Sequence, residues 1–250
     1  LDQQVVDLVI NCAAYTDVDG AESEPELAHA VNAGGVNNIL EALPQDVPVI
    51  HFSTDYVFDG PLNRPLREDD PVSPASVYGQ SKRAGEETLL NSRRRGLILR
   101  TSWLYSAYGN NFVKTMLRLG SENDHLKVVS DQIGSPTHAL DLARLTLQLV
   151  QEERAKTADG PLILHYSNSG VASWYDFAQT IFDYSEHEIE IEPVRTEAFP
   201  RPAPRPSYSV LDCNRVRNMT SGIAPWWKDS LFECLALIRK NEPKLFPKGN

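Results

Sequence analysis

The sequence predicts an α/β protein: a parallel sheet flanked by helices, with a smaller α/β lobe towards the C-terminus. Two observations carry this. Short, β-branched apolar runs at Val5 to Ile10, Val47 to Phe52 and Leu97 to Arg100 have the length and composition of buried strands. Stretches of helical composition lie between them, and strands alternating with helices at this spacing imply parallel pairing through right-handed crossovers.

The first run ends in Asn11-Cys12-Ala13-Ala14-Tyr15. Glu24 to Leu43 follows as a helix, with Leu27, Ala30, Val31, Ile39 and Leu40 available for its buried face and Gly34-Gly35 weakening its middle. The second run ends in Ser53-Thr54-Asp55-Tyr56. A polar stretch rich in Pro, Asp and Gly runs to Asp70, and a helix is expected from Ser76 to Arg93. After the third strand come a helix at Asn111 to Leu119, a strand at Leu126 to Val129 and a helix at Ala139 to Glu152. A strand at Leu162 to Tyr166 and a helix capped by Ser173 and running to Tyr184 succeed them, and a helix at Trp227 to Lys240 closes the pattern. Phe199 to Ser207 holds four prolines and reads as a linker. The expected division is a cofactor and catalytic domain over residues 1–130 and a substrate lobe over 131–250, with segments of the two intercalated.

Composition narrows the function. The 250 residues are 41% hydrophobic and 23% charged, ordinary for a globular chain, and no apolar run approaches the ~18 residues of a spanning helix. A net charge of -10 argues against a nucleic-acid partner, and Arg93-Arg94-Arg95 reads as a solvated helix end. The three cysteines, Cys12, Cys213 and Cys234, form no CxxC pair, which suits a reducing compartment and a cytoplasmic location. The six histidines have no metal-ligand spacing, so no catalytic metal is expected.

Tyr78 and Lys82 stand four apart on a predicted helix and share a face. A nearby ammonium favours a phenolate and lowers its pKa, which makes the pair a candidate general acid. With nine tyrosines in the chain the spacing alone is common. Its neighbourhood adds weight: Thr54 lies at the carboxyl end of a strand, where open α/β sheets bind ligands, and can hydrogen-bond a reacting carbonyl oxygen. The competing reading of Ser53 and Thr54 is a capped turn. Ala13 and Ala14 end another strand, either as a cofactor-facing edge or as close helix packing.

In order, Asn11 to Thr16 (Asn-Cys-Ala-Ala-Tyr-Thr), Ser53 to Gly60 (Ser-Thr-Asp-Tyr-Val-Phe-Asp-Gly), Tyr78 to Lys82 (Tyr-Gly-Gln-Ser-Lys) and Arg100 to Tyr105 (Arg-Thr-Ser-Trp-Leu-Tyr) resemble the extended short-chain dehydrogenase/reductases. Within these they are most similar to the dTDP-4-dehydrorhamnose reductase family. Gly109 to Phe112, Asp131 to Thr137, and Arg205-Pro206 with Ser209, Leu211 and Asp212 extend the resemblance over nearly the whole chain. It implies a Rossmann-like sheet, a nicotinamide cofactor (NADPH or NADH), a nucleotide-sugar substrate and reduction of its C4 ketone. Tyr78 would then give a proton to the keto oxygen, and Lys82 would hold the cofactor ribose. Thr54, Asp55 and Trp103 would meet the substrate, Ala13, Ala14 and Tyr15 would line the cofactor, and Asn32 falls where relatives place a cofactor-contacting Asn. A homodimer is the candidate assembly.

The family's glycine-rich turn, which receives the cofactor pyrophosphate, has no counterpart here, so the sheet is expected to be N-terminally incomplete and Leu1 not to be the biological start. Two alternatives stand beside reduction: a non-catalytic regulatory subunit on the same fold, as in the β-subunit of methionine adenosyltransferase, and a sugar-nucleotide epimerase or dehydratase. Thr54-Asp55 without a following acid favours simple reduction over the latter.

Overall fold

The computed structural model describes residues 6–60, 63–157, 159–220 and 222–247; Leu1 and Val5, at the start of the first expected strand, lie outside them. In chain order the elements are β1 (Val9–Asn11), α1 (Val18–Ser23), α2 (Pro25–His29), a π-helical turn (Ala30–Gly34), α3 (Gly35–Ala42), β2 (Val49–Thr54), α4 (Val77–Asn91) and β3 (Gly96–Thr101). Then follow β4 (Leu104–Tyr105), α5 (Phe112–Glu122), β5 (His125–Val129), β6 (Ile133–Gly134), β7 (Thr137–His138), α6 (Ala139–Gln151), α7 (Arg154–Thr157) and β8 (Pro161–His165). The chain continues through β9 (Ala172–Ser173), α8 (Trp174–Ser185), β10 (Glu190–Val194), α9 (Asn214–Met219) and α10 (Trp227–Asn241).

The main sheet has the order β1-β2-β3-β8, all parallel, with Asn11 opposite His51, Thr54 opposite Thr101 and Arg100 opposite His165. Alternation along each strand divides its core between two faces. Ile50, Leu97, Leu99 and Leu164 meet Leu142, Leu145 and Leu149 of α6, whereas Val49 and Ile98 meet Val36 and Leu40 of α3 and Leu89 of α4. Strand order advances in one direction from β2 to β8, yet α4 and α6 lie on opposite faces, so the crossovers β2-α4-β3 and β3-α6-β8 have opposite hands. The expectation of right-handed crossovers throughout therefore fails at one of them. The β3-to-β8 connection also carries strands of the second lobe, which removes the short-crossover geometry behind the rule.

That second lobe has its own core, built from Val113 and Leu117 of α5, Phe177, Ile181 and Phe182 of α8, and Trp227, Leu231 and Ile238 of α10. Its strand β5 pairs in parallel with β10, while β8 returns to the main sheet, so the chain passes between the two parts more than once.

Three local readings change. The helix expected from Glu24 to Leu43 is interrupted by the π turn, and its buried face is Ala28, Asn32, Val36 and Leu40. Leu27, expected inside, is 47% exposed. A π turn inserts one residue per turn and keeps positions four apart on one face, a shift that a 3.6-residue period does not anticipate. Arg94 is buried, not solvated: its guanidinium donates to the carbonyls of Leu40, Leu43, Pro44 and Val47. It thereby satisfies the orphan acceptors where α3 ends. The stretch from Phe199 to Ser207 is no free linker either. Ala203 is buried, and Arg205 makes a bidentate pair with Asp19 of α1 at 2.9 Å on both arms.

Candidate active site

Helix α4 carries the central pair and is fixed at both ends. Ser76 caps it by accepting from the Gly79 N–H at 3.1 Å, and Glu22 of α1 accepts from the Val77 N–H at 2.8 Å. Two glycines let it sit close to its neighbours: a Cβ at Gly79 would collide with the Tyr56 carbonyl, and one at Gly85 with the Asn32 carbonyl.

This placement brings Tyr78 to the carboxyl end of β2. Thr54 hydrogen-bonds Tyr78, whose ring also meets Tyr56 edge-on at 5.5 Å. Thr54 Oγ1 donates to Asp55 Oδ1 at 3.1 Å and accepts from the Tyr56 N–H at 3.2 Å. Asp55 is 2% exposed; burial pushes it up to about 6 against the pull of the Ser209 and Thr54 hydroxyls. It holds Thr54 from inside the protein rather than presenting a carboxylate to solvent.

The ammonium of Lys82 donates to the Phe52 carbonyl at 2.6 Å, and the residue is 3% exposed. Burial lowers it to about 8, with Glu86 opposing. Tyr78 is pushed the other way, up to about 12, by burial first; Thr54 lowers it and Asp55 raises it. The expected lowering of the phenol by Lys82 is absent, because the lysine is turned to a β2 carbonyl and burial dominates. A fully protonated phenol is the form that donates a proton.

The edge at β1 is also organised. Ala13 is exposed, and its N–H donates to Asn11 Oδ1 at 3.0 Å. Asn32, on the π turn, accepts from the Tyr15 N–H at 2.8 Å and donates to the Tyr15 carbonyl at 3.1 Å and to Ser81 Oγ at 2.9 Å. At 1% exposure its amide bonds protein groups, so Asn32 shapes the Ala13–Tyr15 segment and ties it to α4. π turns recur at such positions. The side chain of Tyr15 turns away and donates to Glu24 at 2.8 Å.

Trp103 follows the end of β3 in a left-handed conformation, φ 47°, uncommon for a bulky residue. Its indole lies flat on Trp174 at 3.6 Å and against Gly134, where a Cβ would strike it. Trp174 also lines a cavity of about 550 Å³ with Phe112, Met116, Phe199, Arg201 and Arg205. Sequence reasoning missed Trp174, Ser81 and Glu86. The one signal for the first was a Trp directly after the capping Ser173.

Residues 1–240 match the RmlD substrate binding domain family. The chain belongs to that family. The dTDP-4-dehydrorhamnose reductase of Sinorhizobium fredii is 44% identical over 230 residues, covering 90% of this chain and 78% of that protein. The crystal structure of a dTDP-4-dehydrorhamnose reductase from Clostridium acetobutylicum superposes with a TM-score of 0.86 at 42% identity, over 93% of this chain and 81% of that one. That of the Bacillus anthracis enzyme, in complex with NADP, does so with a TM-score of 0.84 at 40% identity, over 92% of this chain and 80% of that one. The Rossmann-like sheet expected from the motifs is the fold these relatives share.

Proposed function

We propose that this protein reduces the C4 ketone of dTDP-4-dehydro-L-rhamnose to dTDP-L-rhamnose with NADPH, and that Tyr78, Lys82 and Thr54 do the chemistry. The observation that carries the reading is the meeting of Tyr78, Thr54 and a buried Lys82 at the carboxyl end of the parallel sheet. Relatives at 40–44% identity that bear the reductase name, one of them in complex with NADP, support it.

The residues fit a nicotinamide cofactor. Lys82 has three N–H donors and gives one to Phe52, leaving donors for ribose hydroxyls, and the exposed Ala13 beside Ala14 leaves the β1 edge open to a flat ring. The bound cofactor supplies the hydride that reaches C4. Tyr78, un-ionised at neutral pH, gives its proton to the keto oxygen as charge develops there. Thr54, held by Asp55, keeps the phenol aimed at that point. The cavity beside Trp174 offers aromatic walls to a nucleotide base, and Arg201 and Arg205, which share the single carboxylate of Asp19, leave its lining with a positive charge for a diphosphate.

The test is an assay of the full-length protein with NADPH and dTDP-4-dehydro-L-rhamnose. The reading predicts loss of NADPH absorbance matched by formation of dTDP-L-rhamnose; no NADPH oxidation with that substrate overturns it.

A further inference from the structure

Beneath Lys82 lies a buried ion pair that the reaction just described does not use. The Glu86 and Arg100 side chains are 0% and 1% exposed and join bidentately, Nε to Oε1 and Nη2 to Oε2, both at 2.7 Å. Arg83 adds a further bond to Glu86 at 2.9 Å. Removing two such charges from water commonly costs as much as their attraction returns, so fold stability alone is a poor account of the pair.

Its position suggests another. Glu86 is one helical turn beyond Lys82 on α4, so the two share a face. The charged and titratable groups around the lysine come from three elements. On α4 they are Glu86, Arg83 behind it, and Tyr78 one turn back, with Asp55 beyond the tyrosine. On β2 there is His51, which burial and then Lys82 lower to about 3 and so keep neutral. On β3 there is Arg100, joined to Glu86. Of these, Glu86 is the group whose charge favours the protonated lysine. Burial opposes ionisation of Glu86 itself, but the guanidinium groups of Arg100 and Arg83, with the nearby Ser53 hydroxyl, outweigh it and leave its pKa below the ordinary value.

We propose that Glu86 is a positioning residue for the reaction: clamped by Arg100, its carboxylate keeps the buried Lys82 ammonium charged and ready to hold the cofactor ribose. The inference rests on the function proposed above. It separates an electrostatic role from a structural one by sign. Glu86→Gln keeps the shape and an acceptor for Arg100, but it removes the negative charge and leaves the Arg100 guanidinium uncompensated near the lysine, Arg83 keeping Glu87 at 3.0 Å, so the lysine loses its proton at lower pH. Arg100→Gln removes a cation and leaves the Glu86 charge less neutralised, so Lys82 keeps its proton to the same or higher pH. A pair that merely braced α4 against β3 would give the two variants the same response.

The experiment is NADPH binding to the full-length protein, followed by nicotinamide fluorescence from about pH 6 to about pH 10. Wild-type affinity is expected to weaken as Lys82 deprotonates near pH 8. Glu86→Gln should move that midpoint down by about one unit, tenfold in the lysine's protonation constant, while Arg100→Gln should not lower it. If Arg100→Gln does not fold, the double variant Glu86→Gln, Arg100→Met must still show a midpoint below wild type. An unmoved midpoint in Glu86→Gln overturns the proposal, as does a downward shift shared by Arg100→Gln. Wild-type protein that binds no NADPH at any pH overturns it together with the function on which it rests.

Discussion

The two faces of the four-stranded sheet follow different rules. Against α6, the strands present Ile50, Leu97, Leu99 and Leu164, aliphatic along their length. Against α3 and α4 the same strands begin with Val49 and Ile98 and then turn polar: Asn11, His51, Ser53, Arg100 and His165 are all buried there, together with Lys82 and Glu86 of α4. Asn11 bonds His51 at 3.1 Å, and the His165 ring bonds the Leu66 carbonyl at 3.0 Å, so the layer runs from one sheet edge to the other. One face supplies the cohesion of the fold. The other gives some of it up to hold a charged lysine and a protonated tyrosine where the strands end.

That contrast predicts effects of opposite sign. Leu99→Ala on the aliphatic face should destabilise the protein by about 2–5 kcal/mol in chemical denaturation, through lost burial and the cavity left behind. On the polar face, Lys82→Met should abolish function yet stabilise the fold by about 1–3 kcal/mol near neutral pH. Burial lowers Lys82 from 10.5 to about 8, so its charged form weakens the folded state. That penalty is complete below about pH 8 and fades as the pH rises towards the unfolded value, and the variant's advantage should follow the same window. If Lys82→Met destabilises the protein at neutral pH, the polar face is not the strained one.

A smaller effect tests the neutral histidines. His51 and His165 are both lowered from 6.5 to about 3, by burial first. Their contribution to stability is therefore full above about pH 6.5 and lost as the pH falls through about 3, because the unfolded chain binds the protons first. Stability measured across that range should decline with acid, and His51→Leu should flatten the slope by about one proton. An unchanged slope would place a charged His51 in the folded protein.

What the sequence disclosed and what it hid divide along the same line. Periodicity and capping placed α4 within a residue at its start, since Ser76 caps locally, and the motifs at Asn11, Thr54 and Tyr78 marked the strand ends where the site assembles. Contacts made across the fold left no local trace. Arg94 looked solvated in a run of three arginines, and only the ending of α3 beside it explains its burial. The proline-rich stretch looked free because its anchor, Asp19, lies 186 residues away from Arg205. The shifted face of the first helix came from a π turn that residue types do not announce, and Trp103 gained its stacking partner from a helix of the other lobe.

The central claim is that Tyr78 delivers the proton. The direct measurement is single-turnover oxidation of NADPH by full-length Tyr78→Phe with dTDP-4-dehydro-L-rhamnose, alongside NADPH affinity and thermal stability. The account predicts a rate lower by about 10²–10⁴-fold, with affinity and stability close to wild type. A Tyr78→Phe variant that turns over within a few-fold of the wild-type rate would contradict it.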